Sequence, residues 1–210
     1  MMIWFLIVLL AIVHVCSINK SCRWLFYVSK LAPIVLVIVS LLLADKASVD
    51  YVQLVILGLC CSVIGDVCLM LPKERFRLGL AFFGLAHALY FTAFWGQITP
   101  VFSPLLIAIL ILSGLGFYSL ICNNLKRDKL PVAIYIALIL IVTWAAVEYR
   151  VLGYRQSSAF ALTGTVLFVL SGMVFAIDRF RTPSLYSRQV VMITYFTAQI
   201  FIGLSAYTYV

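Results

Sequence analysis

The chain consists of long apolar runs separated by short polar connectors. Each run has about 20 residues, which is the length that an α-helix needs to cross the hydrocarbon core of a bilayer. In the hydrocarbon core no water is available, so the backbone N–H and C=O groups of a single run must form hydrogen bonds with each other. Such runs therefore predict helices. The pattern therefore predicts an all-α polytopic membrane protein, a bundle of eight transmembrane helices in one domain over residues 1–210. The predicted helices are residues 2–18, 24–43, 51–71, 78–96, 101–121, 131–149, 158–177 and 189–209.

Composition agrees with a membrane protein and excludes a soluble one. Of the 210 residues, 65% are hydrophobic and 10% are charged, and the mean hydropathy is +1.17. A soluble domain of this size could not hide so much apolar surface from water. The six cysteines form no CxxC pair and no Cys/His ligand spacing, so we interpret them as small apolar residues. We expect no metal and no other cofactor.

The basic residues lie mainly in the connectors. The net charge is +8, but membrane topology and anionic lipid headgroups explain short basic loops, so we expect no nucleic acid partner. Eleven Lys and Arg residues fall in the odd-numbered loops and three in the even-numbered ones. By the positive-inside rule, the odd-numbered loops face the cytoplasm and both termini face the other side of a cell inner or plasma membrane.

A weak similarity relates the two halves of the chain. Residues 58–66, GLCCSVIGD, in the third run resemble residues 164–172, GTVLFVLSG, in the seventh. Both segments begin with glycine, and their eighth residue is small. An offset of four helices preserves the direction across the membrane, so the similarity predicts a parallel 4+4 repeat.

The third transmembrane run contains a carboxylate, Asp66. Gly58, Ser62 and Asp66 are spaced four residues apart, so they share one helix face. The small residues on that face allow a neighbouring helix to approach closely. A carboxylate in hydrocarbon is unfavourable, so it usually faces a bundle interior or a wet cavity and has a function. The alternative is a structural ion pair with Lys30 or Arg77.

Polar side chains of five other runs are predicted at the depth of Asp66, between the midplane and the cytoplasmic face. They are Lys30 of the second run, His87 and Tyr90 of the fourth, Tyr135 of the sixth, Ser171 of the seventh, and Tyr195 and Gln199 of the eighth. Each has an alternative as a packing or hydrogen-bonding residue, and Lys30 could instead extend to the headgroups. His14, Glu148 and Trp144 are expected towards the opposite side, without a functional role.

Short motifs surround these polar residues. The more specific ones are Ser62-x-x-Gly65-Asp66-x-x-Leu69 and Phe83-Gly-Leu-x-His87-x-x-Tyr90, and weaker ones are Lys30 with Pro33, Pro131-x-x-x-Tyr135, Gly164 with Phe168-x-x-Ser171, and Tyr195-x-x-x-Gln199. Through these motifs, helices 2 to 8 resemble the YhhN family of integral-membrane lysoplasmalogenases. One departure stands out, because the family pattern has Ser-Asp where this chain has Ser171-Gly172.

The resemblance implies hydrolysis of the vinyl-ether bond of a lysoplasmalogen, with release of a fatty aldehyde and glycerophosphoethanolamine or glycerophosphocholine. Such hydrolysis begins with proton transfer to the β-carbon, and water then captures the oxocarbenium ion. A carboxyl group in an apolar pocket holds its proton more strongly than in water, so Asp66 is the predicted general acid. His87 or Tyr195 would position the water and stabilise the intermediate.

The partners expected on this basis are a lysophospholipid substrate and the surrounding membrane lipids. Lys30, with the cytoplasmic arginines, would hold the lipid phosphate. The full predicted substrate-binding set is Lys30, Ser62, Tyr90, Tyr135, Ser171 and Gln199. The rival hypothesis is a non-catalytic lipid-binding or lipid-transport protein that uses the same pocket, which the missing acid at Gly172 favours. The products separate the two, because only the enzyme makes aldehyde.

Overall fold

The computed structural model describes residues 2–18, 23–45, 47–71, 75–98, 103–153 and 155–209. All regular secondary structure in these ranges is helical, which confirms the predicted all-α fold. Two 3-10 turns, Cys122–Asn124 and Lys126–Asp128, lie between the fifth and sixth α-helices. The α-helices are α1 Met2–Ser17, α2 Arg23–Leu42, α3 Asp50–Met70, α4 Phe76–Trp95, α5 Pro104–Ile121, α6 Lys129–Gly153, α7 Gln156–Phe180 and α8 Ser187–Tyr207.

Seven helices, α2 to α8, are long and apolar enough to cross a membrane. Helix α1 is also apolar but shorter, with 16 residues. The predicted spans match the helices to within a few residues, and the largest differences occur at α6 and α7, which have 25 residues each. Helix α6 begins before Pro131, which lies in the first turn, where its missing N–H is not needed.

The connectors α3–α4, α5–α6 and α7–α8 lie together at one end of the bundle. Phe76 at the start of α4 contacts Phe180 at the end of α7, and Arg77 pairs with Asp128 between α5 and α6. We call this the odd-loop end. Which side of the membrane it faces stays a prediction, and three of the connector lysines that bear on it, Lys20, Lys46 and Lys73, lie outside the described residues.

Helices α3 with α4 and α7 with α8 form the closest pairs. A glycine makes each approach possible. A Cβ atom at Gly58 would lie 2.3 Å from Cε1 of Tyr90, and one at Gly164 would lie 2.9 Å from both the carbonyl oxygen of Ala198 and the amide nitrogen of Ile202. These two glycines, and these two helix pairs, would be equivalent in a parallel 4+4 repeat. The repeat itself stays a prediction.

Helix α5 stands outside the main core. The large cluster of buried apolar side chains in the described part of the chain draws on each of the other seven helices but not on α5. Within α5, Gly114 and Ile121 are buried, and the helix packs mainly on α6. Its remaining side chains are exposed or half-buried, so α5 forms an outer wall of the bundle.

Candidate functional site

A cavity of about 310 Å³ lies inside the bundle, and its lining comes from α2 to α8. Most of the lining is aliphatic or aromatic. The polar side chains that line it are Lys30, Asp66, Ser113, Tyr135, Ser171 and Tyr195. An apolar cavity with a few convergent polar groups is typical of a binding site for a small or amphiphilic ligand.

Asp66 lies on the wall of this cavity and is 2% exposed. Its Oδ1 atom is 3.1 Å from Nζ of Lys30, and its Oδ2 atom accepts a hydrogen bond of 2.7 Å from the hydroxyl of Tyr195. Helices α2, α3 and α8 thus each contribute one group. Of the two ion pairs considered from the sequence, the one with Lys30 forms, whereas Arg77 pairs with Asp128 at 2.7 Å near the surface.

Lys30 is buried, with 6% of the residue exposed. Its ammonium is directed at Asp66 and therefore does not extend to the headgroups. The attraction within a buried ion pair seldom offsets the desolvation of both charges. A pair of this kind on the wall of an apolar cavity therefore favours a functional role over a purely stabilising one.

Four of the predicted site residues do not line the cavity, namely Ser62, His87, Tyr90 and Gln199. All four are buried. The hydroxyl of Ser62 donates to the carbonyl of Gly58 at 3.1 Å, and the hydroxyl of Tyr90 donates to Oε1 of Gln199 at 3.1 Å. These residues lie one turn or more from Asp66, away from the odd-loop end, and form a polar layer behind the cavity.

His87 is separated from the cavity by aromatic rings. Its Nδ1 atom lies 2.6 Å from the carbonyl oxygen of Phe83, which can only accept, so Nδ1 carries the proton. The imidazole packs edge-on against Tyr135 and Phe168, with ring centroids 5.4 and 4.5 Å away. Nε2 is buried without a hydrogen-bond partner among the described residues. His87 therefore touches the cavity only through its aromatic neighbours.

Gly172 leaves open space in the cavity wall. A Cβ atom built on it would lie 3.9 Å from the hydroxyl oxygen of Tyr135, which is ordinary contact. The neighbouring Ser171 donates from its hydroxyl to the carbonyl of Val191 at 3.0 Å and so joins α7 to α8. The position at which the resemblance implies an acid therefore faces the cavity beside Tyr135. In the described ranges, no group of three or more His, Cys, Asp or Glu residues could hold a metal ion.

His14 lies near the ion pair, so its expected placement towards the opposite side is wrong. Its Nδ1 atom is 2.9 Å from Oγ of Ser29, the residue before Lys30, and its ring packs on Phe26 and Phe196. The end of the bundle at which a residue lies follows from its position along the helix. His14 is three residues from the C-terminal end of α1, and that end is close to the start of α2. Its position in the first apolar run already contained this information.

The odd-loop end of the cavity contains residues that the sequence did not single out. Phe76, Phe175 and Phe180 line the cavity there. The guanidinium carbon of Arg179 lies 4.2 Å from the centroid of the Phe76 ring. In the sequence, Arg179 is one of several basic residues near connectors, and nothing in its spacing distinguishes it from the others.

Comparison with known proteins assigns the chain to a family. The family model described as "YhhN family" matches residues 25–206. Lysoplasmalogenase TMEM86B of Homo sapiens is 36% identical over 187 residues, which are 87% of this chain and 76% of that protein. Lysoplasmalogenase TMEM86A of Bos taurus is 34% identical over 156 residues, 72% of this chain and 64% of that protein.

A bacterial relative matches this chain over nearly the whole length of both proteins. The protein of Escherichia coli O157:H7 named "Uncharacterized membrane protein YhhN" is 28% identical over 187 residues, 88% of this chain and 87% of that protein. No solved structure matches the chain. The family match covers α2 to α8 and includes the ion pair, the cavity and the motifs around them. The chain is therefore an integral membrane protein that belongs to the YhhN family.

Proposed function

We propose that this chain hydrolyses the vinyl-ether bond of lysoplasmalogens, with release of a fatty aldehyde and glycerophosphoethanolamine or glycerophosphocholine. Two relatives that match most of its length are named lysoplasmalogenase. The structural observation that supports the proposal most directly is the buried Lys30–Asp66 pair on the wall of an otherwise apolar cavity. The apolar walls suit a single alkenyl chain, and the ion pair suits a reaction that needs a proton.

Asp66 is the proposed general acid, with Lys30 as the source of its proton. Lys30 passes a proton to Asp66 across their contact of 3.1 Å. Asp66 then protonates the β-carbon of the vinyl ether, whose π electrons form the new C–H bond. The products of this step are a neutral amine, a carboxylate and an oxocarbenium ion on the lipid. The carboxylate then lies beside the positive charge that the step created and stabilises it.

Water completes the reaction. The hydroxyl of Tyr195, which is held by Asp66 at 2.7 Å, orients a water molecule towards the oxocarbenium carbon. The water adds to that carbon and returns one proton to the Lys30–Asp66 pair. The resulting hemiacetal separates into the aldehyde and the free glycerol hydroxyl. We assign this role to Tyr195 alone, because His87 does not line the cavity and acts through the packing of Tyr135 and Phe168.

The same scheme accounts for glycine at position 172. Two carboxyl groups would divide the tasks of proton donor and counter-ion between them. Here Lys30 supplies the proton, so one carboxyl group serves both tasks in turn. The reaction then does not require an acid at Gly172.

The direct test is product analysis with purified protein in a neutral detergent. We expect a 1-alkenyl lysophospholipid to give free fatty aldehyde. The matched 1-alkyl lysophospholipid has a saturated ether and no double bond to protonate, so we expect it to remain intact. Recovery of the alkenyl lipid unchanged, with correctly folded protein, would overturn the proposal.

A lipid-binding or lipid-transport protein is the second candidate, and Gly172 is the observation that favours it. Such a protein binds the alkenyl lysolipid in the same cavity but leaves it intact. Reconstituted vesicles with labelled lysolipid in one leaflet test this alternative. Movement of intact lipid between leaflets without aldehyde would support the carrier over the enzyme.

Replacement of Tyr195 by phenylalanine is expected to lower kcat by about 10- to 100-fold, the effect of losing one hydrogen bond to a charged group. The ring keeps its edge-on contacts with Phe83 and Phe168, so substrate affinity should not change. The lost hydrogen bond to Asp66 should lower the free energy of unfolding without changing the fold. Steady-state aldehyde release measures kcat and KM separately. Tyr207→Phe, on the same helix but packed on Trp4, is the matched control and should keep full activity. A rise in KM with unchanged kcat would contradict the role of Tyr195.

A further inference from the structure

The cavity reaches the outer surface of the bundle beside α5. Ser113 lines the cavity and is exposed as well, whereas Gly114, the next residue in the lining, is buried. A side chain that borders a cavity and is also exposed marks a place where the cavity and the surroundings are connected. Ser113 lies near the middle of α5, which is long and apolar enough to cross a membrane. At that depth the surroundings are lipid chains and not water.

Helix α7 forms the other edge of this connection. Its lining residues Val169, Gly172, Met173 and Ala176 are spaced by three or four positions, so they form one stripe along the helix. All four are half-buried. Helix α5 packs mainly on α6 and contacts α7 much less. The stripe is therefore only partly covered by α5, which leaves a gap in the cavity wall between α5 and α7.

The two edges of the gap lie at about the same depth as the reacting pair. Ser113 lies eight residues from the end of α5, and Met173 lies seven residues from the end of α7, both counted from the odd-loop end. Lys30 lies seven residues from the start of α2, at the same end. At a rise of about 1.5 Å per residue, all three are about 10–12 Å from that end. A group that passes the gap therefore meets the ion pair at its own level.

We propose that the cavity opens sideways into the membrane between α5 and α7, and that the hydrocarbon chain of a lysolipid enters through this lateral opening, past Ser113 and Met173. This inference rests on the proposed function, because it takes a lysolipid as the ligand. The hydroxyl of Ser113 donates to the carbonyl of Leu110 at 2.8 Å within its own helix. The edges of the lateral opening are therefore apolar or already hydrogen-bonded, and a hydrocarbon chain passes them without leaving a polar group unpaired.

The odd-loop end offers a less favourable route into the cavity. Ile121 and Leu125, at and just after the end of α5, are almost fully buried and pack with Phe76 and Val132. A lipid that entered there would have to separate these side chains, and their burial would be lost. A chain that moves sideways from the membrane stays in an apolar environment throughout. The packing of the bundle therefore favours the lateral route.

The test is the rate at which an uncleavable lysolipid enters and leaves the cavity. The probe is a radiolabelled 1-alkyl lysophosphocholine, and the protein is held in nanodiscs that are mixed with excess protein-free vesicles. Retention of preloaded probe gives the dissociation rate, and uptake from loaded vesicles gives the association rate. Ser113→Trp and Met173→Trp each narrow the lateral opening from one side. We expect both rates to fall by about 10-fold with unchanged Kd, because overpacking at an entrance raises the barrier in both directions.

Ser119→Trp and Leu170→Trp are the matched controls. Both positions are exposed on the same two helices and neither lines the cavity, so the rates should equal those of the native protein. Native rates in both Ser113→Trp and Met173→Trp would overturn the proposal, as would equal slowing in the controls or no retention by the native protein. A changed Kd without slower dissociation would also overturn it, because the new ring would then fill the cavity and not its entrance. The probe has a saturated ether, so these rates do not depend on hydrolysis, and the two proposals can fail separately.

Discussion

Replacement of Asp66 by asparagine is expected to reduce aldehyde release by about 10²- to 10⁴-fold, the usual contribution of a general acid. Asparagine has nearly the same size and still accepts the hydrogen bond from Tyr195, but its amide cannot deliver a proton. Aldehyde release from a 1-alkenyl lysophospholipid measures the effect. Equal release by the native protein and Asp66→Asn would remove Asp66 from the mechanism.

The control for this variant is another acid in an ion pair. Asp128→Asn breaks the pair with Arg77, whose side chain is 58% exposed, and should keep full activity. An exposed pair contributes at most about 1 kcal/mol to the free energy of unfolding. In Asp66→Asn, by contrast, the buried Lys30 loses its counter-ion, which destabilises the fold. The double variant Lys30→Met/Asp66→Asn removes the stranded charge, and we expect it to be stable but inactive.

Replacement of Gly164 by alanine is expected to lower the free energy of unfolding by about 1–3 kcal/mol, the usual effect of overpacking. The new methyl group would lie 2.9 Å from the backbone of Ala198 and from that of Ile202. Backbone atoms of a helix cannot rotate away as a side chain can, so α7 and α8 must separate. Thermal unfolding in detergent measures the loss. Activity should fall with it, because Ser171 and Tyr195 lie on these two helices.

Gly116→Ala is the matched control for this substitution. A Cβ atom at Gly116, on α5, would have no neighbouring atom within 4 Å. Alanine is favoured over glycine in a helix interior by up to about 1 kcal/mol. This variant should therefore unfold at the native temperature or slightly above it. Equal unfolding temperatures for Gly164→Ala and Gly116→Ala would contradict a close approach of α7 and α8 at Gly164.

Hydropathy alone was enough to predict the helices, because apolar runs of membrane-spanning length have no other common structure. It was less informative about where they end. Helices α6 and α7 continue past the apolar runs through residues such as Arg150 and Asp178, where polar side chains reach water while the backbone stays helical. Helix α6 also begins before Pro131, because proline is tolerated in the first turn of a helix.

The sequence predicted the depth of the polar residues better than their direction. Helical spacing and topology were sufficient to bring Lys30, Asp66 and Tyr195 to one level, and the structure places them in contact. Whether a side chain enters the cavity depends on helix rotation and on the aromatic rings around it, which the sequence does not specify. For that reason His87 proves to be covered by Tyr135 and Phe168. The cavity, whose lining comes from α2 to α8, arises only from the assembled bundle.

The peripheral position of α5 makes the cavity sensitive to the solvent around the protein. Ser113, Gly114 and Phe117 of this helix close one side of the cavity, yet the main core includes none of its residues. A helix with few buried contacts opens at low free energy. We therefore expect boundary lipids on its outer face to help keep α5 against α6. Bilayer thickness and acyl-chain order would then set the width of the cavity, and transfer into micelles would relax it.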